Sequence, residues 1–249
     1  MKNDYLTQKK PLSALIVFAL PMIVGNLFQQ TYTMADSAIV GRLVGEDALA
    51  AVGASYALTN VFICIAVGGG VGASVIVSRH FGAKEYSRMK LAVSTAFLTF
   101  LAVSILLAAF GLAFCRQIML ALHTPPEVLD MAVQYLGIYF CGLPFLFMYN
   151  VISSMFNALG KSRIPLCFLV FSSLFNIGLD LVLVQRFRLG VAGVAWATLI
   201  AQGLSALLSF GVFLYVQKKL ECGKTGIFDK KELADMTRIA LPSILQQSI

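Results

Sequence analysis

The chain has 249 residues and a formal net charge of +7; 59% of its residues are apolar and only 12% are charged. A water-soluble domain carries roughly 25% charged residues, so this composition excludes a disordered chain and a soluble globule and disfavours a nucleic-acid-binding domain. The five cysteines are widely spaced and form no CxxC motif, which favours neither a disulfide framework nor a zinc site.

Six apolar runs predict an all-α, polytopic transmembrane helix bundle. They lie at 12–37, 48–77, 91–114, 128–156, 164–185 and 190–216. A helix of about 20 residues crosses the hydrocarbon core of a bilayer, and helices are required there because lipid cannot satisfy open backbone groups. A cleaved signal peptide is disfavoured for the first run, because that run is too long and five more follow it.

The first run combines a proline with a polar stripe. Pro21 lacks the N–H that stiffens a helix, which predicts a hinge. Polar side chains follow at helical spacing, namely Asn26, Gln29, Gln30, Thr33 and Asp36. Such a stripe in a membrane helix faces protein or water rather than lipid, so Gln29, Gln30 and Thr33 are candidates for lining a substrate cavity.

Glycines and aromatic residues of the later runs allow structural explanations. Gly68, Gly69, Gly70 and Gly72 predict close helix contacts in the second run. Four aromatic side chains could line a cavity for aromatic substrates, although interface anchoring or core packing is the favoured explanation. They are Tyr135, Tyr139, Tyr149 and Trp196. His80 lies in a predicted loop without a partner motif, and no role follows from the sequence.

Two acidic residues lie within the apolar runs, and they match in depth. Asp36 precedes Arg42 by six residues, and Asp180 precedes Arg186 by six. Six helical residues place each carboxylate about 9 Å below an arginine at the outer interface, so the two could face each other inside a bundle. An acid inside the membrane costs about 2.5–3.5 kcal/mol to insert, which makes it a functional candidate.

Polar neighbours extend this acid pair. Asn176 lies one helical turn before Asp180, and Thr198 and Gln202 lie on the sixth run. Na⁺, a hard cation, prefers such oxygen ligands. Two close carboxyl groups cannot both ionise cheaply, so the pair could instead hold a proton. Hydrogen bonding between packed helices is the alternative interpretation of each acid.

Lysine and arginine predict the orientation. Fifteen basic residues lie in one set of segments: Lys2, Lys9, Lys10, Arg79, Lys84, Arg88, Lys90, Lys161, Arg163, Lys218, Lys219, Lys224, Lys230, Lys231 and Arg238. The alternate loops hold the other four: Arg42, Arg116, Arg186 and Arg188. The asymmetry predicts a multi-pass protein of the cell membrane with a cytoplasmic N-terminus.

A second repeat begins near the end of the chain. The Ala-Leu-Pro-x-Ile motif of residues 19–23 recurs at residues 240–244. Parallel repeats related by an axis along the membrane normal are a transporter architecture. The expected organisation is a six-helix lobe (1–217), a cytoplasmic linker (218–235) and the truncated start of a second lobe (236–249). The chain is therefore expected to be a fragment of a protein about twice as long.

Five segments together resemble the multidrug and toxic compound extrusion (MATE) transporters. They are Ala19–Ile23, Met34–Arg42, Ser78–Lys84, Asn157–Ser162 and Asn176–Asp180. The resemblance covers essentially the whole chain. It implies one lobe of a two-lobe, twelve-helix antiporter that exports organic, often cationic compounds in exchange for Na⁺ or H⁺, with no cofactor. It also implies a cation site at Asp36, Asn176, Asp180 and Thr198, with the backbone carbonyl of Val194 as a further ligand.

Three alternative functions stay open. A flippase for lipid-linked oligosaccharides would favour basic residues in its cavity, and no lysine or arginine lies deep in a predicted span. An intramembrane hydrolase could use two aspartates, but no Gly-rich active-site motif accompanies them, so an enzyme is not expected. An inactive truncated product is the third alternative.

Overall fold

The computed structural model describes residues 11–218 and 226–248, apart from the side chains at 11, 13, 14 and 18. These residues form seven helices and no strand: α1 (Pro11–Ile39), α2 (Glu46–Gly82), α3 (Tyr86–Ala121), α4 (Pro126–Ala158), α5 (Arg163–Leu181), α6 (Gly190–Lys218) and α7 (Lys230–Gln247). The first six are long and apolar enough to cross a membrane. The predicted all-α, multi-pass bundle is thus confirmed.

Two parts of the sequence-based prediction lie wholly or partly outside the described residues. These are the lysines Lys2, Lys9 and Lys10, and positions 219–225 of the expected linker. Helix α7 begins at Lys230, six residues before the predicted start of the second lobe. Asp229 explains this start, because its side chain caps the helix by accepting a hydrogen bond from the backbone N–H of Lys231 at 2.7 Å.

Short connections make successive helices run in opposite directions. Three or four residues join α2 to α3, α3 to α4 and α4 to α5, which is the spacing of antiparallel helical hairpins. Between α1 and α2 the chain reverses at Gly45, whose φ of 126° is a conformation that favours glycine. Each long helix therefore crosses the bundle in the alternating sense that membrane spans require.

Helix α4 forms the centre of the bundle. It packs against α2, α3 and α6, whereas α1 packs mainly against α5 and is largely exposed. Phe140 of α4 is fully buried and meets Phe62 of α2 edge-on, with ring centroids 5.5 Å apart. On α3, Gly111 lies so close that a Cβ there would approach the Phe140 ring to 2.5 Å. This packing joins α2, α3 and α4 around Phe140.

A π-helical turn follows each of the two acid-bearing helices. The turns are Val40–Val44 and Val182–Arg186. The N–H of Gly45 donates to the carbonyl of Val40, and that of Phe187 donates to Val182, each at 3.2 Å. Such i→i+5 turns are rare and frequent at functional sites. The two turns contact each other, so α1 and α5 end side by side just beyond their acids.

Candidate cation site

The structure brings Asp36 and Asp180 together. Asp36 lies near the end of α1 and Asp180 near the end of α5, and their carboxyl groups lie close enough to interact electrostatically. Asp180 is fully buried and Asp36 is half-buried. Two ionised carboxylates would repel each other at this distance. A proton or a cation between them would relieve this repulsion.

Asn176 links the acid pair to a neighbouring helix. It is 2% exposed. Its amide nitrogen meets hydrogen-bond acceptors, and its oxygen meets a donor, when the nitrogen faces Asp180. In this orientation the nitrogen donates to Asp180 Oδ2 and to Tyr32 Oη, each at 3.0 Å. The amide oxygen accepts from the backbone N–H of Thr198 at 3.0 Å. One side chain thus fixes the positions of α1, α5 and α6 around the acids.

Thr198 and Val194 bring α6 to the site. The hydroxyl of Thr198 lies 3.4 Å from the amide of Asn176. In a regular helix, the N–H of Thr198 would donate to the carbonyl of Val194, four residues earlier. The amide of Asn176 also accepts from this N–H. Asn176 and Val194 thus meet at the same backbone group of α6.

Two carboxyl oxygens of the pair have unused hydrogen-bonding capacity. Oδ1 of Asp36 and Oδ1 of Asp180 are buried, and no group of the described residues donates to either. A buried acceptor without a donor is costly and calls for an explanation. A bound cation or a proton would satisfy both oxygens, so the donor set suits Na⁺ or H⁺.

Apolar side chains pack around the two π-helical turns. Val40, Val184, Val191 and Val194 form one buried cluster with Ala48. Val40 and Val184 follow the acids by four residues each, so the cluster lies between the acid pair and the nearer end of the bundle. This layer shields the acids from water on that side and strengthens their interaction with a cation.

Tyr32 also lies at this site, although it was not among the residues that the sequence pattern predicted. Its hydroxyl contacts both Asn176 and Thr198, and Tyr135 of α4 lies beside the same acids. The spacing held a signal for Tyr32, which precedes Asp36 by four residues and therefore shares its helix face. Tyr135 carried no comparable signal, because its proximity depends on how α4 packs.

Two of the substrate-cavity candidates line a small pocket between α4 and α6. Tyr139 and Gln202 border it together with Tyr135 and Thr198. Its volume of about 10 Å³ suits no more than one water molecule. The hydroxyl of Tyr139 also donates to the carbonyl of Thr59, at 3.4 Å. These residues therefore extend the polar site into the lobe.

The other candidates lie on the surface of this lobe. Gln29, Gln30 and Thr33 are exposed on α1, and the hydroxyl of Thr33 donates to the carbonyl of Gln29 at 3.0 Å. Trp196 is 44% exposed. It lies two residues from Thr198, so it points to the other side of α6. The α1 residues suit a cavity wall beside the lobe, whereas Trp196 lies away from the acids.

Comparisons with known proteins agree on one family. A model of the MatE family matches residues 21–182. The probable multidrug resistance protein YpnP of Bacillus subtilis is 30% identical over 100% of this chain and 56% of its own length. The multidrug export protein MepA of Staphylococcus aureus is 27% identical over 98% of this chain and 55% of its own length.

Solved structures show the same fold. Crystal structures of MATE in the straight and the bent conformation match with TM-scores of 0.89 and 0.88, at 25% identity. Each match covers 99% of this chain and 55% of the other. The chain thus spans about half the length of the relatives and structures that it matches.

Proposed function

Because the chain belongs to the MatE family of multidrug and toxic compound extrusion transporters, we propose that it forms the first lobe of a cation-coupled antiporter for drug-like organic compounds. The buried pair of Asp36 and Asp180 carries this proposal. A transporter that exchanges two solutes needs a site whose occupancy by one ion changes its affinity for the other solute. A carboxyl pair within the membrane provides such a site.

The coupling ion is Na⁺ or H⁺. The proposed ligands are carboxyl oxygens of Asp36 and Asp180, the amide of Asn176, the hydroxyl of Thr198 and the carbonyl of Val194. The carboxyl, hydroxyl and carbonyl groups offer oxygen, which hard cations prefer. Asn176 would add its amide oxygen only after the amide turns over from the orientation described above. A proton shared by the two carboxyl groups would neutralise the same pair. The test is to reconstitute the complete transporter in liposomes, impose a Na⁺ or H⁺ gradient, and measure uptake of a fluorescent organic cation. Dye uptake that does not depend on either gradient would refute the proposal.

The transported compound is proposed to lie beside α1. The polar stripe of Asn26, Gln29, Gln30 and Thr33 is exposed on this lobe, and polar membrane residues need protein or water as neighbours. A cavity between this lobe and a second one would supply both. The names of the relatives YpnP and MepA support drug-like compounds as cargo.

The proposed location is the cell membrane, with the N-terminus in the cytoplasm. In a background without native cysteines, a cysteine at Lys161 or Ile227 should react with an impermeant maleimide only from the cytoplasmic side. A cysteine at Arg188 should react only from outside. The excess of basic residues on the first side is the physical reason. The opposite labelling pattern would reverse the orientation.

Pro21 is proposed to couple the cation site to the drug. It lies inside α1, the helix that also carries Asp36, and its missing N–H permits bending. The Pro21→Ala variant is expected to keep cation binding, while its drug affinity no longer depends on Na⁺ or pH. Drug affinity measured against both variables checks this. Pro144→Ala on α4 is the matched control, and its drug affinity should still depend on Na⁺ or pH. The same dependence in Pro21→Ala would refute the hinge at Pro21.

A further inference from the structure

Helix α7 fits into a groove of α2 that only glycine permits. A Cβ at Gly68 would lie 2.6 Å from the backbone nitrogen of Ile244. A Cβ at Gly72 would lie 2.6 Å from the carbonyl oxygen of Met236. Met236 is 3% exposed and belongs to the same apolar cluster as residues of α2, α3, α4 and α6. The backbones of the two helices are therefore in direct contact over more than one turn of α7.

A histidine fastens the start of α7 to this groove. Nε2 of His80, on α2, lies 3.1 Å from both carboxylate oxygens of Glu232 on α7. Its Nδ1 lies 3.1 Å from Glu85, in the turn before α3. The side chains of His80 and Glu232 are only 12% and 13% exposed. Both ring nitrogens face carboxylates, and only a doubly protonated ring donates to both.

Further hydrogen bonds hold α7 at its two ends. At the start, the backbone N–H of Asp229 donates to the hydroxyl of the buried Thr95 on α3, at 3.0 Å. At the far end, the thiol of Cys64 on α2 donates to the carbonyl of Gln247 at 3.2 Å. Helix α7 is thus attached along its whole described length.

The contact between α2 and α7 joins the first repeat to the start of the second. The motif at 240–244 makes α7 the counterpart of α1, so α7 opens the second repeat although it packs on the first. His80 and Arg79 lie at the end of α2 that the basic residues assign to the cytoplasm. Alternating access moves one repeat against the other. The α2–α7 contact must therefore loosen whenever the cytoplasmic side opens.

We propose that His80 and Glu232 form a latch that keeps the cytoplasmic end of the α2–α7 groove closed. This inference rests on the proposed transport function. The latch holds α7 in the glycine groove while the other face of the transporter is open, and its release lets the two repeats separate. The contact between His80 and Glu232 adds a specific, breakable interaction to an interface that is mainly apolar.

Cysteine labelling tests the latch without any transport assay. Met236→Cys is placed in the chain after its five native cysteines are replaced, and an impermeant maleimide is added to inside-out vesicles. The parent should label slowly. Glu232→Gln should label about tenfold faster, since hydrogen bonds to charged groups contribute enough free energy for that change. Glu85→Gln is the matched control, because Glu85 contacts the same ring but not α7, and it should stay within about twofold.

Two further variants keep the test decisive. His80→Ala combined with Glu232→Gln should label no faster than Glu232→Gln alone, because both changes remove one interaction. Gly72→Val should also raise labelling by forcing α7 out of the groove. Parental labelling rates in Glu232→Gln and Gly72→Val would overturn the latch. In the complete transporter, the labelling rate of Met236→Cys should rise during drug export, and a rate that never rises would overturn the latch. Drug export that does not depend on a cation would refute only the proposed function.

Discussion

Asp180→Asn and Asp36→Asn are each expected to reduce cation-driven exchange by the complete transporter to the background of protein-free liposomes. Asparagine keeps the size of each side chain, but it removes the negative charge that attracts the cation and the acid that holds a proton. The remaining carboxyl of the pair then faces an uncharged amide in place of a second titratable acid. Uptake of a fluorescent organic cation against an imposed Na⁺ or H⁺ gradient measures the loss.

Asp130→Asn is the matched control for the two acid variants. Asp130 is 83% exposed and pairs with Arg116 at 2.8 Å, and exposed ion pairs contribute little. This variant should transport at the parental rate. Each variant must elute as a single species in detergent, so that misfolding is separated from lost coupling. If Asp36→Asn or Asp180→Asn transported at the parental rate, the proposed role of that acid in the cation site would be refuted.

Gly111→Val is expected to lower the melting temperature of the chain in detergent by about 2–12 °C. Its Cβ would lie 2.5 Å from the ring of Phe140, which is fully buried against Phe62. Overpacking of a core costs about 1–3 kcal/mol, and about 2–4 °C is lost per kcal/mol for a chain of this size. Thermal unfolding followed by tryptophan fluorescence or light scattering checks the shift.

Gly137→Val is the control for this packing prediction. Gly137 lies on α4 within one turn of Phe140, but a Cβ there meets no atom within 4 Å. Its melting temperature should match that of the parent within about 2 °C. Equal melting temperatures for the two variants would show that α3 and α4 are not packed as closely as the structure places them.

The sequence predicted the spans and the acid pair for simple physical reasons. Hydropathy over about 20 residues reports a membrane helix directly, and all six predicted spans match helices. The rise of a helix per residue is constant. The equal spacing of Asp36 and Asp180 from their arginines therefore predicted one depth, and in the structure the two acids lie close together.

Other features depend on packing that no local pattern records. A π-helical turn inserts one residue into a helix, and the composition of Val40–Val44 gives no sign of it. His80 drew no interpretation because Glu232, its partner, lies 152 residues further along the chain. The glycines of α2 predicted close helix contact, but only the structure identifies α7 as the helix that two of them meet.

The affinity of the complete transporter for an organic cation, measured against Na⁺ concentration and pH in the parent and in Asp180→Asn, tests the central claim most directly. If cation and drug are coupled through the acid pair, parental affinity should change about tenfold across one of the two titrations, within the usual range of coupling between sites. The affinity of Asp180→Asn should stay constant in both. A parent whose drug affinity ignores Na⁺ and pH, or a variant that follows the parent, would contradict coupling at Asp36 and Asp180.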